Sequence, residues 1–249
     1  MNLTDRVVLV TGGGTGMGRE MSRRFGREGA TVIVNYARSR DDTEATAREI
    51  GERGVAMRAD VTREADVKAM IAEIETRYGR LDILVNNAGW STRIPHGDLD
   101  ALTDEIWDRT LDTNLRGTFY TIRAARPLLE RAPAPAIVNT ASAAAYSASG
   151  SSVVYAASKA AVVSMTKSLA RAFAPKIRVN AVCPGLVRTR FAGWPEESFV
   201  AAKELTPIGR LVTTEEVADA VYFLSVEATW MTGEALLMDG GIYQLGRSR

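Results

Sequence analysis

The chain has 249 residues, of which 46% are hydrophobic and 24% charged, and its net charge at pH 7 is +1. This composition is typical of a globular protein with an ample core, and the balanced charge gives no reason to expect nucleic acid or an acidic membrane as a partner. No apolar run approaches 18 residues, and the chain enters a strand-like run at once, so we expect neither a membrane span nor a signal peptide. Cys183 is the only cysteine, which excludes an internal disulfide and suits a cytoplasmic protein.

The first predicted unit is a strand, a glycine-rich loop and a helix. Residues 6–10 read as a short buried strand, and an amphipathic helix follows the loop to about residue 28, with Met21 and Phe25 facing inward. Glycines let backbone N–H groups approach a pyrophosphate, and the N-terminus of the helix adds partial positive charge. The spacing Gly12-x-x-x-Gly16-x-Gly18 differs from the general G-x-G-x-x-G fingerprint.

The second strand, residues 31–34, ends at Asn35, where an enzyme that binds the ribose of NAD usually has a carboxylate. A neutral residue removes the repulsion of a 2′-phosphate, and Arg38, Ser39 and Arg40 could bind one. This pattern favours NADP(H). The alternative is that these arginines only form a solvated entry to the next helix.

The next predicted elements are a helix over 41–53, a short strand over 56–58 and a core-facing helix over 64–78. Asp60 lies at the carboxyl end of the short strand, where open parallel sheets bind ligands. Its carboxylate could accept a hydrogen bond from an adenine amino group or could cap the following helix.

A fourth strand, residues 81–85, ends in the amides Asn86 and Asn87 followed by Ala88 and Gly89, which should tie neighbouring strands together. The next helix is predicted to begin near residue 103. Its inward stripe is expected to contain Trp107, Leu111, Asn114 and Thr118. Asn114 would then be a buried amide that needs hydrogen-bond partners.

The chemically suggestive stretch is Tyr155 and Lys159, one turn apart on an alanine-rich helix that runs to about residue 173. A nearby ammonium favours the phenolate and is expected to lower the phenol pKa toward neutrality. Ser142 follows the strand over 136–140 and could hold a substrate oxygen against the phenol. Such a pair on its own is more often structural than catalytic.

The remaining elements complete an alternation of strands and helices. We expect a substrate-shaped loop over 143–152, strands over 177–182 and 235–238, and an irregular mobile cover with its bounds at about 188–207. Thr213 and Glu216 form a capping box that opens a helix with Val217, Val221 and Leu224 inward. The sequence predicts one α/β domain over 1–249, a Rossmann-like doubly wound parallel sheet of about seven strands with helices on both faces.

With these residues in place, the chain resembles the short-chain dehydrogenase/reductase family almost from end to end. The matching motifs, in order, are Thr11-Gly12-x-x-x-Gly16-x-Gly18, Asp60-Val61, Asn86-Asn87-Ala88-Gly89, Asn114, Ser142, Tyr155-x-x-x-Lys159 and Pro184-Gly185-x-x-x-Thr189. Each motif is weak alone, and the whole set in this order is specific.

The resemblance implies a role for each matching position. Tyr155 would be the general acid or base, Lys159 would lower its pKa and hold the nicotinamide ribose, Ser142 would orient the substrate oxygen, and Asn114 would maintain a water-linked proton path to Lys159. The implied cofactor-binding residues are Gly12, Gly14, Thr15, Gly16, Met17, Gly18, Arg38, Ser39, Asp60, Val61, Asn87, Ala88, Gly89, Tyr155, Lys159, Pro184, Gly185, Val187 and Thr189. No metal is implied, and the only histidine, His96, cannot form a metal site alone.

The leading hypothesis is an NADP(H)-dependent ketone reductase or secondary-alcohol dehydrogenase that acts on a small molecule. Trp90, Phe191 and Trp194 suggest a moderately apolar substrate, and the resemblance to 3-oxoacyl carrier-protein reductases is only general. Thr15 stands where NADP-using relatives often have a basic residue, which weakens the NADP(H) prediction. The alternatives are an NAD-dependent sugar or diol dehydrogenase and a non-catalytic nucleotide sensor. Family members are frequently homotetramers.

Overall fold

The computed structural model describes residues 3–246. The strands are Val7–Val10 (β1), Thr31–Tyr36 (β2), Gly54–Arg58 (β3), Ile83–Asn86 (β4), Ala136–Thr140 (β5), Arg178–Pro184 (β6) and Ala235–Met238 (β7). The α-helices are Gly16–Arg27 (α1), Arg40–Ile50 (α2), Glu64–Tyr78 (α3), Asp104–Leu111 (α4), Gly117–Arg131 (α5), Ala144–Ser147 (α6), Val153–Phe173 (α7), Glu196–Leu205 (α8), Thr214–Tyr222 (α9) and Ile242–Leu245 (α10). Two π-helical turns, Asp112–Arg116 and Phe223–Glu227, and one 3₁₀ turn, Phe191–Gly193, complete the set.

The strands form one seven-stranded sheet in the order β3-β2-β1-β4-β5-β6-β7, and every neighbouring pair is parallel. The predicted doubly wound sheet is therefore confirmed. The strand order reverses between β1 and β4, and in such sheets the ligand crevice lies at the carboxyl ends of the strands beside that point.

Helices cover both faces of the sheet, as the predicted hydrophobic stripes require. On one face Phe25 of α1 packs with Val217 and Val221 of α9. On the other face Ile71 and Ile74 of α3 pack against the sheet. The capping box at the start of α9 is present in both directions. Continuous burial of β1, β2, β4 and β5 explains why these strands read as apolar runs rather than as alternating patterns.

Three predicted segments differ from the structure. Helix α2 ends at Ile50 rather than near residue 53, because Gly51 adopts a left-handed φ of 87°. The segment over 143–152 is not all loop, since its alanines form α6. The segment over 190–207 is not irregular, because it contains a 3₁₀ turn and the ten-residue helix α8, anchored by the buried Phe199.

The predicted inward stripe of the helix that begins after residue 103 is wrong at one position. Trp107 is 41% exposed, whereas Asn114 and Thr118 are buried. The π-helical turn between α4 and α5 inserts one residue into the helical repeat. The faces before and after that turn are therefore out of phase, and a regular 3.6-residue pattern cannot place them on one side. Within residues 3–246 no helix combines the length and apolar character needed to cross a bilayer.

Candidate functional site

A cleft of about 1090 Å³ lies over the carboxyl ends of the strands. The structure brings nearly all of the predicted site residues to its walls. These are Gly12, Thr15, Gly16, Met17, Gly18, Arg38, Ser39, Asp60, Val61, Asn87, Ala88, Gly89, Ser142, Tyr155, Lys159, Pro184, Gly185, Val187 and Thr189. Gly14 and Asn114 are not among the lining residues. The cleft is large enough for a dinucleotide together with a small substrate.

The glycines of the loop after β1 serve two different purposes. Gly18 packs against the loop itself, because a Cβ at this position would lie 2.1 Å from the carbonyl oxygen of Gly12. Gly14, predicted to bind the cofactor, instead packs against α2, where a Cβ would lie 2.1 Å from the hydroxyl of Thr43. Gly14 is therefore a packing glycine outside the cleft, and Gly12 and Gly16, which have φ of 59° and 51°, shape the wall.

The N-terminus of α1 fits an anionic group. Its N-cap residue, Thr15, makes no side-chain hydrogen bond to the helix, and the first turn contains no acidic residue. The first N–H groups of a helix have no intrahelical partners, so those of this turn face the cleft with the positive end of the helix dipole. Thr189 approaches the same turn from the other wall, 3.3 Å from where a Cβ of Gly16 would lie. These residues fit the pyrophosphate of a dinucleotide.

The amides at the end of β4 tie the strands together as predicted. Asn87 Nδ2 donates to the carbonyl oxygens of Thr11 and Gly12 at 3.1 and 3.0 Å. The Thr11 hydroxyl in turn accepts from the backbone N–H groups of Asn87 and Ala88. Asn86 Nδ2 donates to Asn139 Oδ1 at 2.9 Å and so links β4 to β5. The loop that faces the pyrophosphate position is therefore held by side-chain bonds from the neighbouring strand.

Asn35 lies among the cleft-lining residues, near the end of β2, where the sequence placed it. Its side chain is buried and its Nδ2 donates to the carbonyl oxygens of Met57 and Ala59, so it joins β2 to β3. The strand end that lines the cleft continues through Tyr36 and Arg38, with no carboxylate at either position. The end of β2 therefore presents no acidic side chain to the cleft, as predicted. Asn35 itself has a structural role, because its amide joins β2 to β3.

The arginines after β2 differ in their partners. Arg40 forms an ion pair with Glu44 at 2.7 Å. Arg38 is exposed, lines the cleft and has no carboxylate partner within residues 3–246. A free guanidinium at this position can receive a phosphate, whereas one already bound to Glu44 is less available.

Asp60 lines the cleft but does not cap α3 through its side chain. Its Oδ1 accepts hydrogen bonds from the backbone N–H and the hydroxyl of Thr62 at 3.0 and 2.8 Å. The N-cap position of α3 belongs to Arg63, which makes no side-chain cap. Of the two alternatives left open by the sequence, helix capping is not observed, and contact with an adenine stays a prediction.

Ser142, Tyr155 and Lys159 form the chemical centre of the cleft. Lys159 Nζ lies 5.8 Å from the centroid of the Tyr155 ring and donates to the carbonyl oxygen of Thr140 at 2.7 Å. Burial raises the pKa of the Tyr155 phenol to about 12, and its hydrogen bond with Ser142 opposes the rise. Burial also lowers the pKa of Lys159 to about 8. The pKa of the Tyr155 phenol in the protein alone therefore lies above its ordinary value, contrary to the expectation that Lys159 brings it toward neutrality, because burial is the largest cause of the shift.

Asn114 acts one layer below the cleft. Its Oδ1 accepts from the backbone N–H of Trp90 at 2.8 Å, and its Nδ2 donates to the carbonyl oxygen of Trp90 and to Ser158 Oγ, each at 3.1 Å. Both polar atoms of this buried amide therefore have hydrogen-bond partners. Asn114 itself lies in the π-helical turn after α4. Sequence reasoning missed Ser158, whose only signal is its place three residues after Tyr155 on the same helix.

The segment over 188–207 is held by one internal ion pair and by one ion pair to α2. Arg188 forms a two-bond ion pair with Glu196, one bond being 2.8 Å, and its guanidinium lies 4.6 Å from the Phe199 ring centroid. Arg190 pairs with Asp42 of α2 at 2.8 Å. Both Arg190 and Asp42 line the cleft, so this ion pair connects the segment to the adenosine side.

Three aromatic side chains line the cleft at the end where the sequence analysis expects a substrate, which is called the substrate end below. Phe191, Trp90 and Trp194 all line it and are half-buried. The Phe191 and Tyr155 rings are 5.8 Å apart between centroids and tilted by 52°. Phe191 also lies close to Gly89, since a Cβ there would be 3.8 Å from its ring. The reacting group of a substrate is therefore bounded by Tyr155, Ser142 and an aromatic wall.

Comparisons with known proteins agree with this geometry. A family model described as enoyl-(acyl carrier protein) reductase matches residues 12–243. A ketoacyl reductase assigned to the granaticin polyketide synthase of Streptomyces violaceoruber is 42% identical and covers 96% of each chain. The 3-oxoacyl-[acyl-carrier-protein] reductase FabG of Staphylococcus aureus is 38% identical over 94% of this chain and 97% of its own.

Solved structures show the same architecture. The 3-ketoacyl-(acyl-carrier-protein) reductase of Brucella melitensis, complexed with NADH, has a TM-score of 0.89 at 35% identity and covers 97% of this chain and 100% of its own. The ligand-free aldohexose dehydrogenase of Thermoplasma acidophilum has a TM-score of 0.85 at 34% identity, with 96% and 94% coverage.

Proposed function

The chain belongs to the short-chain dehydrogenase/reductase family of oxidoreductases, and from that premise we propose that it uses NADPH to reduce the keto group of a 3-oxoacyl thioester. The observation that carries this proposal is the meeting of Ser142, Tyr155 and Lys159 beside the uncapped N-terminus of α1 in one cleft. The names of its ketoacyl reductase relatives support the substrate class.

A nicotinamide cofactor supplies the hydride, and the protein supplies position and protons. Ser142 and Tyr155 together would donate hydrogen bonds to the substrate oxygen, where negative charge develops as the carbonyl carbon is reduced. Because the pKa of Tyr155 is raised to about 12, the phenol is protonated at neutral pH and can give its proton to that oxygen. Its role as general acid in the reducing direction follows from this state.

Lys159 and Asn114 would support the proton transfer. The Lys159 ammonium is fixed by the carbonyl oxygen of Thr140 and has donor capacity left for the nicotinamide ribose. When the phenol gives up its proton, the nearby positive charge stabilises the phenolate. Asn114 holds the backbone at Trp90, on the floor of the cleft, and would maintain the water-linked path by which the proton is replaced.

The preference for NADPH rests on charge at the end of β2. Tyr36 and Ala37 offer no carboxylate to repel a 2′-phosphate, and Arg38 is free to bind it beside Ser39. Thr15 adds no positive charge inside the glycine loop. The preference is therefore expected to depend mainly on Arg38.

A second candidate function is oxidation of a sugar or diol with NAD. Two structural neighbours favour it: the aldohexose dehydrogenase and a Brucella melitensis protein named for glucose/ribitol dehydrogenase, which has a TM-score of 0.90 at 33% identity and covers 98% of this chain and 100% of its own. The aromatic substrate wall favours the thioester, because sugar sites need several hydrogen-bond partners that Phe191, Trp90 and Trp194 offer poorly.

Calorimetric titration with NADPH and separately with NADH tests the cofactor. We expect NADPH to bind at least about tenfold more tightly, since a phosphate–arginine contact is worth roughly 1.5–3 kcal/mol. The substrate class is tested by NADPH oxidation with acetoacetyl-pantetheine and, in the reverse direction, with NAD and aldohexoses. Turnover of sugars with NAD and none of the thioester would favour the second candidate.

We also propose that the protein is a homotetramer, as the family resemblance implies. Large apolar side chains are exposed on two separate parts of the surface: Trp107 and Phe119 on α4 and α5, and Trp230 near β7, the last being 98% exposed. Such exposure is costly in a monomer and is relieved by subunit contacts. Light scattering coupled to gel filtration measures the assembly directly.

A further inference from the structure

The substrate end of the cleft carries two positive charges that the reaction itself does not use. Arg109 of α4 lies with its guanidinium carbon 4.1 Å from the ring centroid of Trp90. Arg93 lies 5.0 Å from the ring centroid of Trp194. Both indoles line the cleft, and Arg109 lines it too. Each arginine is exposed and lies over an indole of the cleft wall.

Neither of these arginines forms an ion pair within the described residues. Within residues 3–246, neither Arg93 nor Arg109 has a carboxylate oxygen within 4 Å, although other exposed arginines do, such as Arg116 with Asp112 and Arg188 with Glu196. A guanidinium stacked face-on over an indole keeps its N–H edge free for hydrogen bonds. The two arginines thus present oriented, unpaired donors beside an otherwise apolar wall.

This local charge cannot be attributed to the protein as a whole, since the net charge is only +1. An unpaired cation at the entrance of a cleft raises the local concentration of anions and favours bidentate contact with a phosphate or carboxylate. The prediction of a moderately apolar substrate, made from the tryptophans and Phe191, therefore describes only part of the substrate. The apolar part fits beside the rings, and a charged part fits at their outer edges.

We propose that Arg93 and Arg109 form an anion subsite for the distal end of the substrate, so that the preferred substrate is a ketone with a phosphate or carboxylate several bonds from the reacting carbonyl. This proposal rests on the proposed function and narrows its substrate class. The two sources of the anion lie at opposite ends of a thioester: the phosphate of a phosphopantetheine arm on the sulfur side, or a terminal carboxylate on the acyl side.

The test compares matched substrates with NADPH: acetoacetyl-pantetheine, acetoacetyl-4′-phosphopantetheine and 3-oxoadipyl-pantetheine. The first has no charge, the second adds one phosphate, and the third adds one carboxymethyl group at the acyl end. We expect KM for one of the charged substrates to be at least about fivefold below that for the neutral one, as expected for a charged hydrogen bond that remains partly exposed to solvent. The charged substrate with the lower KM shows whether the anion is a phosphate on the sulfur side or a carboxylate on the acyl side.

The double variant with Arg93→Gln and Arg109→Gln should remove that preference while leaving kcat and KM for acetoacetyl-pantetheine within about twofold, since only the charge contact is lost. Replacing both with lysine restores charge without the planar fork and should recover part of the preference. Arg126→Gln is the control, because Arg126 also lies over an aromatic ring, that of Phe173 at 5.3 Å. Arg126 is paired with Glu130, and Phe173, unlike Trp90 and Trp194, is not among the cleft-lining residues.

Equal KM values for all three substrates in the wild type would overturn the proposal, as would equal losses on charged and neutral substrates in the glutamine variant. If no thioester is reduced at all, the proposed function is contradicted, but the anion subsite is not yet decided. The subsite is then decided by calorimetric titration of the NADPH-loaded protein with 4′-phosphopantetheine, with 3-oxoadipyl-pantetheine and with pantetheine. Tighter binding of either charged compound than of pantetheine, lost in the glutamine variant, supports the subsite, and equal binding of all three contradicts it.

Discussion

Asn114 closes a two-way hydrogen-bond pair with the backbone of Trp90, accepting from its N–H at 2.8 Å and donating to its carbonyl oxygen at 3.1 Å. The same amide reaches Ser158 of α7. One buried side chain therefore joins the π-helical turn after α4, the loop after β4 and the helix that carries Tyr155. Its amide is a positioning group for the substrate wall as well as for the proton path.

Asn114→Ala is expected to lower the free energy of unfolding by about 2–3 kcal/mol, because the buried N–H of Trp90 loses its acceptor. Activity should fall as well, with KM for the substrate rising because Trp90 is no longer held. Urea denaturation and steady-state kinetics measure the two effects. Ser158→Ala is the graded comparison, since it removes one of the three Asn114 bonds together with the bond that Ser158 Oγ donates to the carbonyl oxygen of Tyr155. It should cost less than Asn114→Ala, because the N–H of Trp90 keeps its acceptor. An equal cost for both variants would contradict this account.

Tyr155→Phe should reduce kcat by at least about 10³-fold, since it removes the proton donor while keeping the ring that packs on Phe191. The Kd for NADPH should change by less than about threefold, because the pyrophosphate and 2′-phosphate contacts are elsewhere. Single-turnover kinetics and calorimetry separate the two quantities. A Phe variant that retains substantial turnover would remove Tyr155 from the role of general acid.

Lys159→Met is expected to inactivate the enzyme and yet to make it more stable at pH 7. Burial lowers the pKa of Lys159 from 10.5 to about 8, so keeping this group charged in the folded state costs free energy. After allowing for the lost bond to the Thr140 carbonyl oxygen, we expect a gain of about 2 kcal/mol. Tyr155→Phe, which removes no buried charge, is the comparison. A Met variant less stable than the wild type at pH 7 would show that the buried ammonium does not lower the free energy of unfolding.

The pH dependence of that difference has a definite sign. Below about pH 8 the lysine is protonated both folded and unfolded, so the cost is constant. Between about pH 8 and 10.5 the unfolded chain keeps the proton that the folded protein has released, so the stability deficit of the wild type changes only within this window. Because the unfolded state holds more protons there, the free energy of unfolding contributed by this group rises with pH, and the advantage of Lys159→Met should shrink. Urea midpoints at pH 7 and pH 9.5 measure the change.

Arg38→Ala should raise the Kd for NADPH about tenfold and leave the Kd for NADH within twofold, because only the former has the 2′-phosphate. Calorimetry with both cofactors measures this. Arg40→Ala is the matched control, since Arg40 is also exposed at the start of α2 but is paired with Glu44. Equal effects of Arg38→Ala on both cofactors would mean that this side chain does not read the phosphate.

Gly18→Ala should abolish cofactor binding and lower the free energy of unfolding by more than about 2 kcal/mol, because its Cβ would lie 2.1 Å from the Gly12 carbonyl oxygen and force the loop apart. Gly97→Ala is the comparison, since a Cβ at that position would meet no atom within 4 Å beyond its own chain neighbours, and its φ is not left-handed. That substitution is expected to be neutral or slightly stabilising. Retained NADPH binding in the Gly18 variant would contradict the geometry of the loop.

Much of the fold follows from local pattern. The bounds of α3, β5 and β7 agree with the sequence predictions, because buried runs and helical stripes between clear turn residues leave little choice. The predicted catalytic side chains also converge, since Ser142 and Tyr155 follow strand ends that a parallel sheet must bring to one edge.

What the sequence could not provide depends on tertiary contacts. The π-helical turn that buries Asn114 and exposes Trp107 has no signature in a 3.6-residue pattern. The direction of the Tyr155 pKa depends on how much solvent the folded protein removes, which composition does not reveal. The stacking of Arg93 on Trp194 joins residues about a hundred positions apart, and no motif marks it.

The ion pair between Asp42 and Arg190 is expected to make the residence time of a bound nucleotide depend on ionic strength. It links the adenosine wall to the segment that covers the substrate end, and both partners are largely exposed, at 49% and 80% of their side-chain area. Salt screens such a surface pair readily. Added salt should therefore increase the dissociation rate of bound nucleotide more than it changes the rate of the chemical step. If product release limits turnover, kcat would rise at moderate salt, before the affinity for the nucleotide is lost.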